Sequence, residues 1–524
     1  MTPRTVPALL SHGAEKFADR PAVVDGDITL TYSALAAIVQ RVSGAYLSVG
    51  VAPGDRVAIW APNRHEFILA MLGAQNIGAS VVPLNTRYRG HEARTVLQRS
   101  KANVLVTANG FLGTDYLGML QQAANTPQPG APLGLEHLHT VVDIAGSGHP
   151  GSLGWAEFLD RAEAVAPGRV AAAAAAVSAD TVCDILFTSG TTGIPKGVMS
   201  AHRQTLGVAD VWARGAALDD RDRYAIVNPF FHGFGYKAGV VAALTAGTAI
   251  HPVLTFDPVV LMELVQRERI TVLPGAPTIF TTLINHPRLR EFDLSSLRFA
   301  IAGAASVPES LFEQMLDVLG FKTVAQAYGL TECIVATQSR PGENPRHVAE
   351  TTGPAVPGVE IRIVNTSGAA VPTGTDGEIW LRGENVMLGY FEDPESTAEA
   401  IDRDGWFHTG DVGRLDEHGC LKITDRIKDM FTVGGFNVYP AEVENVLSGH
   451  PDVLESAVVG IPDERMGSVG RAYVVPRRAA TLGAGPLTDY CRERLANFKV
   501  PREFLVTDAL PRNASGKVLK KDLR

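Results

Sequence analysis

The sequence predicts an α/β protein built from more than one domain. Three observations predict it. The chain has 524 residues, more than one ordinary hydrophobic core takes up. Short apolar runs alternate with amphipathic stretches through the first two-thirds. From about Gly353 the texture changes to short, Gly-bounded segments.

The apolar runs carry the first inference. RVAIWAPN, SVVPLN, ANVLVT, CDILFTSG, YAIVNPFFH, TVLPGAP and RFAIAGAA each read as a buried strand running into a loop. Runs of this kind separated by amphipathic helices indicate mostly parallel sheets with helices on both faces. Between Gly110 and Asp180 the signal weakens, and the alanine tract there reads as a helix edge or a surface excursion. GVEIRIVN, GEIWLRG and CLKITDR read as a small antiparallel β region. A boundary is expected near Asp425. Beyond it the spacing predicts a helix over Pro440–Ser448, strands in VLESAVVGI and RAYVVP, a helix over Leu487–Asn497 and a basic tail.

Composition narrows the function classes. Hydrophobic residues make up 45% and charged residues 20%, which fits a globular enzyme rather than a disordered chain. Against 47 basic side chains stand 56 acidic ones, a net charge of −9, and no basic stripe marks a nucleic-acid footprint. Cys183, Cys333, Cys420 and Cys491 are widely spaced without a CxxC pair, so reduced thiols in a cytoplasmic protein are expected. The N-terminus lacks the apolar stretch and cleavage site of a signal peptide. Val170–Val177 is too short for a membrane span, and Ala238–Leu254 is interrupted by Thr245, Gly247, Thr248 and His251; a span needs about 20 apolar residues. The second stretch reads as a buried helix followed by a buried strand.

The densest chemical signal is Leu186-Phe187-Thr188-Ser189-Gly190-Thr191-Thr192-Gly193-Ile194-Pro195-Lys196-Gly197. Glycines let backbone N–H groups converge on an anion, the hydroxyls add donors, and Lys196 supplies a mobile cation. This is a loop for a polyphosphate. It is not a Walker A loop, because Pro195 and Gly197 flank the lysine where Gly and Ser or Thr are required. Other residues are less telling alone: Glu332 reads equally as a cap, Asp411 as a turn former, Lys517 as a solvated terminal lysine and His232 as a packed ring among aromatics.

The string resembles the phosphate loop of the adenylate-forming superfamily: acyl-CoA synthetases, peptide-synthetase adenylation domains and beetle luciferases. Further segments follow in that family's order. Tyr328-Gly329-Leu330-Thr331-Glu332 resembles its adenine and magnesium segment, and Trp406 to Asp411 its ribose segment. Asp425-Arg426-Ile427-Lys428 resembles its hinge, Gly434-Gly435-Phe436-Asn437-Val438-Tyr439-Pro440 its thiol-tunnel loop, and Pro511 to Lys517 its catalytic-lysine loop. The resemblance covers essentially the whole chain.

It implies two doubly wound sheets plus a small β-barrel in an N-terminal domain over 1–424, a hinge over 425–428 and a mobile α+β domain over 429–524. It implies ATP, Mg²⁺ and coenzyme A, with a small-molecule carboxylic acid as partner, no nucleic acid and no membrane span. Oligomeric state is left open, a homodimer included. Thr188, Ser189, Gly190, Thr191, Thr192, Gly193 and Lys196 are expected around the phosphates, with Thr188 and Glu332 on the metal. Gly303, Ala304, Ala305 and Gln326 to Gly329 (Ala327 and Tyr328 between them), with Thr331, are expected around adenine and the carboxylate end of the acyl pocket. Asp411 and Arg426 are expected on the ribose. Lys517 is expected to stabilise charge at the α-phosphate, Lys428 to act as pivot, Gly434, Gly435 and Phe436 to border the thiol path, and His232 to position and gate. The family often has a second glycine and a proline where this chain has Ala304 and Ser306, which leaves the pocket shape open.

Phe230, Phe231, Phe234 and Tyr236 suggest an apolar acyl pocket. ITDRIKDMFTVGGFNVYPAEVENVL and GLTECIVATQSRPGE resemble actinobacterial ligases of steroid-ring breakdown, which act on a bicyclic ring-derived propanoate. Medium- or long-chain fatty acids and aryl acids are alternative substrates. Loading of a carrier protein and luciferase-like oxygenation are alternative chemistries.

Overall fold

In a computed structural model, residues 3–124, 132–188, 195–302, 309–426, 429–433, 436–438, 440–463, 466–477, 482–495, 497–512 and 518–523 are described. The first sheet has eight strands in the order Gly389–Tyr390, Lys196–Ala201, Val182–Thr188, Ser80–Pro83, Arg56–Trp60, Val104–Thr107, Thr140–Asp143 and Leu153–Gly154. It is parallel from Val182–Thr188 onward and antiparallel across the first three strands. Ser80–Pro83 and Val104–Thr107 are buried at every position, as strands covered on both faces must be.

A second sheet orders Arg223–Ile226, Ala249–Pro252, Pro21–Asp25 and Ile28–Thr31. Single bridges through Val272 connect it to a third, ordered Phe299–Ala302, Thr323–Leu330 and Cys333–Gln338. The expected strand TVLPGAP is therefore only a line of isolated bridges at Val272 and Gly275; Pro274 within it has no N–H for a ladder. Helix His65–Gln75 packs on strands of both the first and second sheets. Its residues from Glu66 to Gln75 are all buried, as expected of a helix between two layers.

The Gly-bounded segments form a four-stranded antiparallel sheet ordered Val359–Val364, Gly377–Gly383, Phe407–Leu415 and Leu421–Arg426. The last sheet begins at Phe431. It pairs Phe436–Val438, Phe431–Val433, Gly467–Pro476 and Val453–Asp463, with Glu503–Val506 alongside. Its separate core joins Val443 and Leu447 of helix Pro440–Ser448 to Leu487 and Cys491 of helix Ala484–Arg492. The second of these helices starts and stops earlier than its apolar spacing predicts. Ala238–Leu254 holds a buried helical stretch followed by strand Ala249–Pro252, as expected, but the helix begins at Tyr236 and its first part, Tyr236–Val241, is a π-helix. The alanine tract is an exposed surface helix, Arg169–Ala176. Among the described residues no helix is long and apolar enough to cross a membrane.

Candidate active site

The Gly/Ser/Thr segment connects two antiparallel strands. Thr188 pairs with Lys196 at the mouth of the hairpin formed by Val182–Thr188 and Lys196–Ala201. The loop is thus presented at a sheet end by a hairpin, not by the strand-to-helix turn of Walker A sites. Gly197 permits this closure, because a Cβ there would sit 2.8 Å from Ile185 Cγ2 and 3.0 Å from Phe187 Cζ.

Glu332 occupies a second hairpin tip. Strands Thr323–Leu330 and Cys333–Gln338 pair from Leu330 with Cys333, leaving Thr331 and Glu332 in the turn. Gly329 fits under it only as glycine, since a Cβ would lie 2.0 Å from Ile334 O. Short strand Gly389–Tyr390 brings the two hairpins together. It pairs with Lys196–Ala201 through Tyr390 and Val198, while Met387 N–H donates to Glu332 O at 2.8 Å. The Tyr390 hydroxyl then donates to Glu332 Oε1 at 2.9 Å, and Lys196 Nζ lies 5.1 Å from the Tyr390 ring centre. Burial and the neighbouring carboxylate keep the Tyr390 phenol protonated. Sequence reasoning missed Tyr390. The signal available was a Gly-Tyr pair followed by Asp393, whose side chain caps the next helix.

The expected ribose residues also meet. Asp411 is 4% exposed and follows Gly410, whose φ of +68° suits the Thr-Gly turn. Its N–H donates to Thr409 Oγ1 at 3.0 Å. Tyr328 O–H donates to Asp411 Oδ2 at 2.6 Å, joining the segment expected around adenine to the segment expected on the ribose. Asp411 and Arg426 face each other across adjacent antiparallel strands. Gln326 is buried, and its amide donates to Val348 O at 2.8 Å and Ala349 O at 3.0 Å. It therefore anchors helix Pro345–Glu350 behind the site.

His232 caps a short turn, with Nδ1 accepting from Phe234 N–H at 3.2 Å. That bond assigns the proton of the neutral ring to Nε2. The side chain is exposed, yet surrounding protein holds its pKa below the usual imidazole value through desolvation. Of the expected pocket aromatics, two belong elsewhere. Phe230 is fully buried against Phe67, with ring centres 5.5 Å apart. Tyr236 is fully buried, and its hydroxyl meets Gln75 Nε2 at 2.5 Å and Asp184 Oδ2 at 3.2 Å. Phe231 and Phe234 stay part-exposed beside His232. A turn followed by a π-helix rotates successive side chains away from the facing that apolar spacing suggests.

Next to Tyr236 lies a residue that sequence reasoning did not single out. Lys237 is 1% exposed. Its Nζ is 3.0 Å from Asp184 Oδ1 and donates to Ser200 Oγ at 2.7 Å. Thr205 O–H donates to Asp184 Oδ2 at 2.6 Å. This buried cluster ties the π-helix after His232 to both strands of the hairpin formed by Val182–Thr188 and Lys196–Ala201. A single lysine in an apolar run gives no sign of its partner.

Ser189 to Gly193, Gly303 to Ala305, Lys428, Gly434, Gly435 and Lys517 lie outside the described residues, as do the side chains of Arg426 and Phe436.

The chain belongs to the AMP-binding enzyme family: its main model matches residues 10–391, and the AMP-binding enzyme C-terminal domain matches residues 442–517. A 3-[(3aS,4S,7aS)-7a-methyl-1,5-dioxo-octahydro-1H-inden-4-yl]propanoyl:CoA ligase of Rhodococcus jostii is 49% identical over 100% of this chain and 98% of the relative. The Mycobacterium tuberculosis protein of the same name is 47% identical over 99% and 98%. Among solved structures, ATP-bound MatB from Rhodopseudomonas palustris superposes with a TM-score of 0.84 at 30% identity, covering 100% of this chain and 98% of that one. The anthranilate CoA ligase AuaEII in complex with anthranoyl-AMP gives 0.86 at 25% identity, covering 99% and 96%.

Proposed function

We propose that this chain, an AMP-forming acyl-CoA ligase, activates a bulky bicyclic ring-derived propanoate. The observation that carries the substrate is the 49% and 47% identity, along essentially the full length, to two ligases named for such an acid. ATP and coenzyme A are the co-substrates. Four free, buried thiols suit a cytoplasmic setting.

A thiol cannot displace oxide from a carboxylate, so AMP must first be installed as leaving group. The carboxylate attacks the α-phosphorus, the bond to pyrophosphate breaks, and an acyl-adenylate forms. The thiol then attacks its carbonyl and AMP departs. The hairpin loop from Thr188 to Lys196 cradles the outer phosphates. Tyr328, Asp411 and Arg426 hold the nucleoside, with Gly303 to Ala305 and Gln326 to Gly329 along the base. Lys517 meets charge developing at the α-phosphate, stabilising the transition state more than the ground state. Glu332 and the Thr188 hydroxyl are hard oxygen donors on hairpin ends, a set that fits Mg²⁺ and would hold it. Bound there, the ion would neutralise phosphate charge. His232, neutral at pH 7 with Nε2–H available, positions the acyl carboxylate and gates the pocket. Residues 425–428 form the pivot between a domain over 1–424 and one over 429–524. One pose presents Lys517, and the other presents Gly434 to Phe436 to the thiol.

The test is pyrophosphate release across fatty, aryl and polycyclic propanoic acids, with and without coenzyme A. The reading expects the polycyclic acid to give the highest kcat/KM and acyl-CoA to form only with the free thiol. A fatty or aryl acid ranking first would overturn the substrate assignment.

A further inference from the structure

Away from the nucleotide residues, a second cluster joins three chemistries that rarely meet by accident. A carboxylate oxygen of Glu343, a ring nitrogen of His347 and Cys420 Sγ all lie within 4.8 Å of one another. Glu343 precedes helix Pro345–Glu350, which carries His347. Cys420 precedes strand Leu421–Arg426. The cluster therefore spans the gap between that helix and the turn joining strands Phe407–Leu415 and Leu421–Arg426.

Two features distinguish it from an ordinary polar surface. Glu343 Oε2 is buried without a hydrogen-bond partner, beside a cysteine that is 1% exposed. A buried carboxylate oxygen without a donor is unfavourable, and a thiol supplies little compensation. In addition, His347 is already oriented. Its Nε2 meets Asp416 Oδ2 at 2.7 Å, and Asp416 is itself fixed by accepting from His418 N–H at 2.9 Å and Cys420 N–H at 2.8 Å. A carboxylate on one ring nitrogen fixes the orientation of the ring, as the partners that back metal-bound histidines do. A comparison within the same protein sharpens the point. Asp25, His65 and Glu66 also lie within 4.8 Å of one another, but His65 Nδ1 meets Asp25 at 2.8 Å and Arg64 pairs with Glu66, so that cluster is satisfied without an ion.

We propose that Glu343, His347 and Cys420 bind one divalent transition-metal ion of zinc-like chemistry. Sulfur, nitrogen and oxygen donors in one set suit such an ion and not Mg²⁺ or Ca²⁺. In a tetrahedral zinc site, ligand atoms stand roughly 3.3–3.8 Å apart, so side chains already within 4.8 Å of one another need only a small adjustment to bind. The Cys420 thiol releases its proton to solvent as the metal–sulfur bond forms. A water molecule completes the coordination, reached from the half-buried side where Glu343 and His347 meet solvent. The site is a brace. It would pin helix Pro345–Glu350, whose C-terminal carbonyls hold the Gln326 amide, to the turn between the strands carrying Asp411 and Arg426.

Full-length protein, stripped with chelator and held in Mg²⁺-free buffer, should be titrated with CoCl₂. Expected are one bound equivalent, a thiolate-to-cobalt charge-transfer band, displacement by ZnCl₂ and a rise in Tm on adding Zn²⁺. Cys420→Ser should remove the band, and Glu343→Gln should weaken cobalt binding by about tenfold, far-UV circular dichroism verifying that both variants fold. Should Cys420→Ser misfold, His347→Ala must give the same loss of affinity. Binding without the band, a band that persists in Cys420→Ser, or unchanged affinity in Glu343→Gln would overturn the proposal.

Discussion

Tyr390 and Glu332 are joined by a 2.9 Å hydrogen bond between segments that meet only through the fold. The tyrosine sits on the strand that pairs with Lys196–Ala201, so its hydroxyl sets where the second hairpin tip points. Tyr390→Phe removes that bond while keeping the ring beneath Lys196. A hydrogen bond to a charged group is worth about 1.5–3 kcal/mol. The variant is expected to lose roughly tenfold or more in kcat/KM for MgATP in pyrophosphate release, with thiolysis of supplied acyl-adenylate little changed. Equal loss in both half-reactions would show that Tyr390 supports the fold rather than the proposed metal-binding role of Glu332.

Lys517→Ala is expected to abolish pyrophosphate release yet largely spare thiolysis of a preformed acyl-adenylate, because phosphate charge builds only in the first step. Single-turnover assays of each half-reaction check this. Equal loss of both would defeat the two-pose mechanism.

The buried pair of Lys237 and Asp184 gives a stability prediction. Lys237→Met strands a carboxylate that is 0% exposed and should cost about 3–5 kcal/mol in urea unfolding. The double variant Asp184→Asn/Lys237→Met should recover much of that loss, since no isolated charge remains. A double variant as unstable as the two single losses added together would show that the pair is not coupled.

Two buried histidines predict acid sensitivity. Burial lowers His202 and His251 to about 4 from 6.5, and neither His251 nitrogen has a hydrogen-bond partner. The unfolded chain therefore binds more protons than the folded one between pH 6.5 and about 4. Stability is fully present above pH 6.5 and falls as pH drops through that window, by at most roughly 3 kcal/mol per ring. His251→Leu should flatten the fall in urea midpoint between pH 7 and 4.5. An unchanged slope would remove His251 from the account.

Much of this was readable in advance where chemistry and local geometry coincide. Glu332 falls in a turn and Thr188 closes a strand, as their glycine neighbours imply, and Asp411 follows a Thr-Gly turn. What escaped notice depends on partners far along the chain. Tyr390 matters because of Glu332, and Lys237 because of Asp184. Neither pairing leaves a periodic trace. Phe230 and Tyr236 were misread for a related reason: apolar spacing reports that a side chain is covered, not whether core or ligand covers it.

The π-turn Tyr236–Val241 has a consequence for how this enzyme can diverge. A π-turn accommodates one more residue than the α-helical turn it replaces. Deleting a residue there would let the backbone relax to ordinary spacing, but it would swing the preceding side chains by about 100° relative to Ala242–Ala246. Lys237 would leave Asp184, and the wall carrying His232 would rotate with it. This stretch should therefore tolerate exchange of one apolar side chain for another while rejecting any change of length, so insertions and deletions rather than substitutions mark the limit of its variation.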